Sequence, residues 1–293
     1  MWAIRDECVY DQGTCPSTNP VLCVACVDQQ QAHLPYAVWA MDLNNQWLVD
    51  HGSLATLDDI DTLRATVYRD GNGKQTLRVL GVILDTGYDT KASYWYCLGL
   101  TIDANGQPTG GRMREWVVPI KGDTGLQTTM GAEIRAKPIT TFPDNTPFPG
   151  GAQLVLRHLH PKAFKDDFSD AMYREATVAV WFHQGIDQEY VEQVCGEVLR
   201  ESKPDKQGNT RQYWAVIRRP QDQFDLAQYG FAARHMLHPQ LMGLGTGDGA
   251  PAADETEQPK QRTPAPKRGQ AEKPPAGVSY GNEEEDDDGW SDW

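Results

Sequence analysis

The sequence predicts an α/β fold in which helices cover both faces of one mixed β-sheet. Three observations favour this class. Apolar runs of strand length begin at residue 22, and the first three follow one another through short connections. Amphipathic helical segments then alternate with further strands. Two of the apolar runs end in an aspartate, which places acids at the ends of buried strands.

The first three strands are predicted at residues 22–28, 34–41 and 46–51. The first is uncharged until Asp28, and the residues from Asp42 to Asn45 supply a turn between the second and the third. Because the connections are short, neighbouring strands run in opposite directions. We therefore expect an antiparallel meander at the start of the domain.

Helices and strands alternate in the rest of the chain. The first helix has Leu57, Ile60, Leu63 and Val67 on one face, with acids in its first turn. The order that follows is a strand ending at Asp85, a helix at 88–100, a strand at 115–120, a long excursion at 123–150, strands at 152–158 and 176–182, a helix at 187–201, a strand at 213–217 and a last helix at 221–237. This order is typical of the ribonuclease-H-like fold, with helices on both faces of its mixed sheet.

Composition divides the chain into three parts. Residues 1–20 are rich in turn formers and predict an irregular lead-in, and residues 21–240 form the α/β domain. Residues 241–293 predict a disordered acidic tail, because apolar residues almost vanish after Leu244 and six consecutive acids follow at 283–288. The net charge of −14 is shared equally between the residues before Asp248 and those from Asp248 onward. The latter carry twelve acids and five bases. The body is only mildly acidic, which leaves room for a local basic groove.

Cysteine and histidine patterns argue against a zinc protein. The sequence has six cysteines, no signal peptide and no apolar stretch of membrane-spanning length, which predicts reduced thiols in the cytosol and no membrane partner. Cys23 and Cys26 form a CxxC, but they fall within a strand, where residues three apart face opposite sides. His158 and His160 have no third soft ligand nearby in sequence, and we interpret them as structural.

Three aspartates form the candidate catalytic and metal site: Asp28, Asp85 and Asp225. If the strands of Asp28 and Asp85 lie side by side, both acids share one rim of the sheet, and the last helix brings Asp225 to it. Converging carboxylates suit Mg²⁺ or Mn²⁺, and three of them can hold two ions. Each acid taken alone is equally explained as a turn former, a helix cap or a solvated residue. Asp50 is a further strand-end acid, and Asp222 is the reserve ligand.

Basic residues near these acids are candidates for DNA binding. Lys121 ends a predicted strand, and Arg218 and Arg219 precede the last helix, where they either neutralise phosphates or remain solvated. The glycines at Asp70–Gln75 lack the spacing and the Ser/Thr of a phosphate-binding loop, so the sequence predicts no ATPase.

Several short motifs resemble, in order, the nuclease domain of the lambda-type phage terminase large subunit. They are Leu22–Asp28, Trp47–Gly52, Val82–Gly87, Pro119–Gly122, His183–Glu197 and Phe224–Ala233. The resemblance covers residues 20–237. It implies a ribonuclease-H-like fold, metal-dependent cutting of double-stranded DNA during genome packaging in the host cytoplasm, and Asp28, Asp85 and Asp225 as metal ligands. The family's Asn-Glu before the last helix is replaced here by Asp222-Gln223-Phe224.

The resemblance also implies partners. The family carries an ATPase motor in the same chain, and this sequence begins almost where the nuclease begins, so we expect a separate ATPase subunit or an excised portion. The portal and the small terminase subunit are the other expected partners. A different nuclease of this fold, such as a junction resolvase, and a non-catalytic packaging adaptor remain the alternatives.

The acidic tail ends in two tryptophans, Trp290 and Trp293. Acids can steer such a segment to a basic pocket, where aromatic side chains anchor it. We expect a docking peptide for a packaging partner. The alternatives are a solubilising tail, the acidic tip of a single-strand DNA-binding protein, and a segment that covers the DNA groove.

Overall fold

A computed structural model describes residues 1–19, 21–103, 108–109, 111–126, 133–173 and 176–244. The disordered tail was predicted from residue 241, but residues 241–244 belong to a helix and Leu241 is buried in the core. The rest of the predicted tail, residues 245–293, and the docking role of Trp290 and Trp293 lie outside the described residues. All described residues belong to one unit, Met1–Ala250. No helix within the described ranges combines the length and the apolar character needed to cross a bilayer.

The helices are α1 Trp2–Glu7, α2 Asp59–Ala65, α3 Thr90–Leu98, α4 Pro161–Met172, α5 Gln188–Val194, α6 Asp222–Met236 and α7 His238–Leu244, with a short 3-10 turn at Pro149–Gly151. The strands are β1 Leu22–Val27, β2 Leu34–Met41, β3 Asn45–Leu54, β4 Val67–Arg69, β5 Gln75–Arg78, β6 Gly81–Asp85, β7 Thr101–Ile102, β8 Pro108–Thr109, β9 Val117–Gly122, β10 Ile134–Ile139, β11 Leu154–Leu159, β12 Ala179–Phe182, β13 Glu197–Glu201 and β14 Gln212–Val216.

One eight-stranded mixed sheet organises the domain, in the order β10-β11-β9-β6-β1-β2-β3-β12. β1, β2 and β3 are antiparallel, as the short turns predicted. β6 pairs in parallel with β1, and β9 pairs in parallel with β6. The predicted α/β class with a mixed sheet is confirmed. β1 and β6 are adjacent and parallel, so their carboxyl ends lie at the same rim.

Helices cover both faces of this sheet because its central strands are buried on both sides. Cys26 and Trp39 face a core that includes residues of α4, α5 and α6. Cys23 and Val38 face the opposite core, with residues of α2 and α3. The two cysteines of the CxxC therefore belong to different cores, as the alternation of a strand requires.

α6 approaches the sheet closely at Gly230. A Cβ atom at this position would lie 2.8 Å from Gln46 Nε2 and 2.8 Å from Trp39 Nε1. Both neighbours are fully buried. The absence of a side chain at Gly230 therefore sets the distance between α6 and the central strands.

Several elements differ from the prediction. The lead-in of residues 1–20, predicted to be irregular, contains α1, and its Ile4 is buried in the core. The helix predicted at 187–201 ends at Val194, and Glu197–Glu201 is instead a strand paired with β14. The predicted excursion at 123–150 contains β10, and α4 was not predicted at all.

Candidate functional site

Two aspartates meet at the end of the central parallel strands. Asp28 directly follows β1, and Asp85 is the last residue of β6. The strands pair in parallel with Val27 opposite Leu84, which sets Asp28 beside Asp85. Their carboxyl groups are hydrogen-bonded to each other. Two acids 57 positions apart in the numbering are thus brought into direct contact by strand register.

Burial controls the charge of this pair. Asp28 is only 3% exposed, and its burial, together with the charge of Asp85, raises its pKa well above the ordinary value. Burial also raises the pKa of Asp85. Gln30 Nε2 donates to Asp28 Oδ2 at 2.5 Å, which favours the charged form. Two carboxylates in such contact retain a proton between them unless a cation neutralises their charge.

α6 brings a third acid and a tyrosine to the same rim. Asp225 lies in the first turn of α6, and its charge acts on both Asp28 and Asp85. Tyr229 follows one helical turn later, on the same face. Its hydroxyl donates to Asp85 Oδ2 at 3.2 Å. Burial, followed by the charge of Asp85, raises the pKa of Tyr229, which keeps the hydroxyl protonated and able to donate.

A buried lysine links Asp225 to a second acid. Lys165 Nζ lies 2.6 Å from Glu197 Oε1 and 3.1 Å from Asp225 Oδ1. The same nitrogen lies 5.1 Å from the ring centre of Phe224. Lys165 is 9% exposed and Glu197 is 7% exposed, so little solvent screens the charges of this pair. One ammonium group therefore balances acids from both α6 and β13.

Sequence reasoning missed Lys165 as a site residue, because it missed α4. Signals for this helix were present: Pro161 at the first position, and Phe164, Phe168 and Ala171 spaced along one face. His160 caps the helix, since its Nδ1 accepts from the backbone N–H of Ala163 at 3.2 Å. Glu197 was noted only within a resembling segment, and Tyr229 only within a motif, without a role for either.

Asp50 and Asp222, the two other acids considered for the site, form contacts with different residues. Asp50 accepts hydrogen bonds from Tyr68 Oη at 2.9 Å and Tyr36 Oη at 3.3 Å, so this strand-end acid is part of a separate network. Asp222 Oδ2 lies 3.6 Å from His33 Nε2. Asp222 nevertheless lines the same pocket as Asp225, which keeps it near the candidate site.

Of the predicted DNA-binding residues, Arg219 shares a pocket with Asp225. It lines an open pocket of about 470 Å³ together with Gln30, Asp222 and Asp225. Arg218 points its guanidinium at Glu192, at 2.5 Å. Lys121 is exposed on β9, one residue after Ile120, which pairs with Asp85 in the sheet.

The donor set of the site suits a hard cation, although it is not arranged around one. Asp28, Asp85 and Asp225 offer the carboxylate oxygens that Mg²⁺ and Mn²⁺ prefer. Within the described ranges, no three His, Cys, Asp or Glu side chains form a group that could hold a metal ion. Asp28 and Asp85 instead bind each other, and Asp225 binds Lys165. Both are contacts that a divalent cation would replace.

One protein family matches the chain over most of its length. The family model described as "Terminase large subunit gpA, endonuclease domain" matches residues 3–243. Among solved structures, the large terminase from the thermophilic bacteriophage D6E is 11% identical with a TM-score of 0.36, covering 80% of this chain and 43% of that one. The large terminase nuclease from the thermophilic phage G20c is 13% identical with a TM-score of 0.33, covering 73% of this chain and 82% of that one.

The comparison with curated proteins gave no match. The chain spans 43% of the length of the D6E terminase. The family model covers most of the chain, including every described residue of the acid cluster. The chain therefore belongs to the family of the terminase large subunit gpA endonuclease domain.

Proposed function

We propose that this protein is a metal-dependent endonuclease that cuts double-stranded DNA during phage genome packaging in the host cytoplasm. The observation that carries the proposal is the contact between Asp28 and Asp85, with Asp225 beside them, at one rim of the sheet. Membership of the endonuclease family supports the reaction class.

The three acids are the proposed ligands for Mg²⁺ or Mn²⁺, and their number suits two ions. A buried pair of carboxylates is costly to ionise without a cation, so the raised pKa of Asp28 fits a site that is completed by one. When bound, divalent cations neutralise the phosphodiester and make water a stronger nucleophile. Asp222 remains the reserve ligand, because it lines the pocket of Asp225.

The protein's own side chains position these acids. Tyr229 holds Asp85 through its hydroxyl, and Gln30 holds Asp28 Oδ2 through its amide. Lys165 keeps Asp225 neutralised between reactions, because its ammonium lies 3.1 Å from the carboxylate. Such supporting contacts fix ligand geometry and commonly affect affinity and rate as strongly as the ligands themselves.

The DNA backbone is proposed to approach along the exposed basic residues of the same rim. Arg219 lines the pocket of Asp225, and Lys121 extends beyond the strand that pairs with Asp85. Both are exposed, and neither has an ion pair among the described residues. Arg218 contributes less in this arrangement, since Glu192 already neutralises it. Each phosphate contact strengthens binding in a salt-dependent way.

Cleavage of supercoiled plasmid tests the proposal. We expect cutting by the purified chain with Mn²⁺ or Mg²⁺, and a loss of at least about 100-fold in Asp28→Asn, because the substitution removes a charge in the low-dielectric site. The control is Asp11→Asn, which changes an exposed acid outside the cluster and should leave cutting unchanged. No metal-dependent cutting, with or without packaging partners, would favour a non-catalytic adaptor. Preferential cutting of four-way junctions would favour a resolvase.

The partners proposed for packaging are a separate ATPase subunit, the portal and the small terminase subunit. For the tail, we propose that Trp290 and Trp293 anchor it on the portal or the motor. Deleting residues 281–293 should weaken that binding by at least about 10-fold, the effect expected for loss of an aromatic anchor, and leave intrinsic cleavage intact or raised. Binding that is unchanged in a pull-down with portal and motor would contradict the docking role.

A further inference from the structure

A row of basic side chains crosses the outer strands of the sheet, beyond the acid cluster. Lys121 of β9 pairs with His158 of β11, and His158 pairs with Arg135 of β10. Lys137 lies two residues further along β10, on the same face as Arg135. Lys121, Arg135 and Lys137 are exposed, and these three cations form the basic patch.

The charges of the basic patch converge on His158. Burial lowers the pKa of His158, and the positive charges of Arg135, Lys137 and Lys121 lower it further. Asp123 opposes them, because its Oδ2 lies 3.3 Å from His158 Nδ1 and 2.9 Å from Arg135 Nη2. Three cations against this one carboxylate leave the patch positive, although the body of the protein is mildly acidic.

Protection of the sheet edge does not explain the whole patch. β10 is an outer strand, and charged side chains on such a strand block pairing with another sheet. This reason covers Arg135 and Lys137. Lys121 lies on β9, which is paired on both sides, with β6 and with β11. A positive surface that extends from the interior of the sheet to its edge suits a phosphate backbone.

The basic patch and the acids lie near the same rim but on opposite faces of the sheet. Asp85 pairs with Ile120, whose side chain belongs to the core that includes α6. Lys121 is the next residue along β9, so its side chain faces the other way. His158 shares its face with Leu156, which belongs to the core that includes α2 and α3. A duplex placed over the rim would therefore meet the acids on one side and the basic patch on the other.

The spacing of the strands matches the two backbones of a duplex. Neighbouring strands lie about 4.8 Å apart, so β10, three strands away from β6, lies about 14 Å from it. The grooves that separate the two backbones of B-DNA are about 6 to 12 Å wide. One strand bound at the acids would have to turn around the rim to reach the patch, whereas the second strand of a duplex lies across a groove.

We propose that the basic patch binds the DNA strand that is not being cut. The inference rests on the proposed nuclease function and adds to it a reason for a double-stranded substrate, since the acids take one backbone and the patch holds the other. The guanidinium of Arg135 can donate two N–H groups to one phosphate, and Lys121 and Lys137 act as point charges.

Anisotropy titrations of the full chain with a labelled duplex, and with one of its strands alone, test the proposal. Divalent cations are left out, so that binding is measured without cleavage. In the double variant Arg135→Gln, Lys137→Gln, duplex affinity should fall about 10-fold, and the plot of log Kd against log salt should become shallower by about 2, roughly 0.9 for each phosphate contact. Affinity for the single strand should change by less than about 2-fold. The control is Lys74→Gln, an exposed lysine between β4 and β5, which should leave both affinities unchanged.

A variant with the opposite sign guards against misfolding. Asp123→Asn removes the carboxylate that lies 2.9 Å from Arg135 and should tighten duplex binding about 2-fold, a gain that a damaged fold would not produce. Unchanged duplex binding in the double variant, an equal loss on the single strand, or weaker binding by Asp123→Asn would each overturn the proposal. A wild-type chain that bound no duplex would overturn the nuclease proposal as well, whereas wild-type binding with an unaffected double variant would overturn only the role of the basic patch.

Discussion

Tyr229 donates its hydroxyl hydrogen to Asp85 Oδ2 at 3.2 Å, from a position one helical turn beyond Asp225. A single helix therefore supplies one acid of the cluster and holds another. The spacing of four residues along α6 couples the two functions, so the placement of both acids depends on how this helix packs against the sheet.

Removal of the Tyr229 hydroxyl should lower cleavage more than stability. Tyr229→Phe keeps the ring in the core and deletes the contact with Asp85. We expect a 10- to 100-fold lower cleavage rate, the range typical of contacts that orient a metal ligand, and a loss of about 1 kcal/mol in the free energy of unfolding. Plasmid cleavage and urea unfolding measure the two effects. A rate within 2-fold of wild type would show that Tyr229 does not position Asp85.

Replacement of Lys165 should destabilise the metal-free protein. Lys165→Met leaves Glu197 and Asp225 without their shared cation, and breaking such a buried pair costs about 3 kcal/mol. The double variant Lys165→Met with Glu197→Gln should recover about half of that loss, because one uncompensated charge is removed. Urea unfolding provides the measurement.

Lys165→Met also tests whether Lys165 has only a structural role or occupies the position of a metal ion at Asp225. If Lys165 occupies the place of a metal ion at Asp225, Mn²⁺ should raise the melting temperature of Lys165→Met more than that of wild type. An equal or smaller shift would mean that the ion and the lysine do not compete for this carboxylate.

Acid should destabilise the protein through its buried histidine. Burial lowers the pKa of His183 from 6.5 to about 3, with a further contribution from His51. Because the unfolded state binds the proton more tightly, the stabilising contribution is complete above pH 6.5 and is lost as the pH falls towards 3. Each pH unit in this window costs up to about 1.4 kcal/mol per imidazole.

The variant His183→Gln isolates this effect. Between pH 6.5 and 5, its free energy of unfolding should change less steeply than that of wild type, whatever its absolute stability. Parallel slopes would show that His183 does not remain neutral in the folded protein. His51 contacts His183 directly and also has a lowered pKa, so His51→Gln should flatten the slope as well.

A methyl group at Gly230 should push α6 away from the sheet. Its Cβ would lie 2.8 Å from atoms of Gln46 and Trp39, and both are fully buried. We expect Gly230→Ala to cost about 1–3 kcal/mol. Gly243→Ala is the control, and it should be neutral or slightly stabilising, because no described atom beyond its chain neighbours and its own helix backbone lies within 4 Å of a Cβ at that position. Thermal unfolding compares the two.

The central sheet was predictable because its strands are strongly patterned. β1 and β6 are nearly uninterrupted apolar runs, and each is followed or closed by an aspartate. The order of helices and strands then predicts that β1 and β6 are neighbours in the sheet. The contact between Asp28 and Asp85 is a consequence of parallel register, which the sequence indicates only after the two strands are assumed to be neighbours.

The supporting residues were harder to predict because they depend on tertiary contacts. Lys165 and Glu197 come from a helix and a strand 32 residues apart, and their burial is stable only because each neutralises the other. Isolated in sequence, both resemble solvated surface residues. β10 was missed for a related reason: an edge strand with mostly exposed side chains has little hydrophobic pattern.

The acids of the site are separated along the chain in a way that matters for synthesis. Asp28 and Asp85 leave the ribosome early, whereas α4, β13 and α6 are made much later. A nascent chain that stops before residue 222 has two of the three acids and neither Asp225 nor Tyr229. The proposed DNA-cutting activity, if it needs all three acids, therefore cannot arise until translation of this domain is nearly finished.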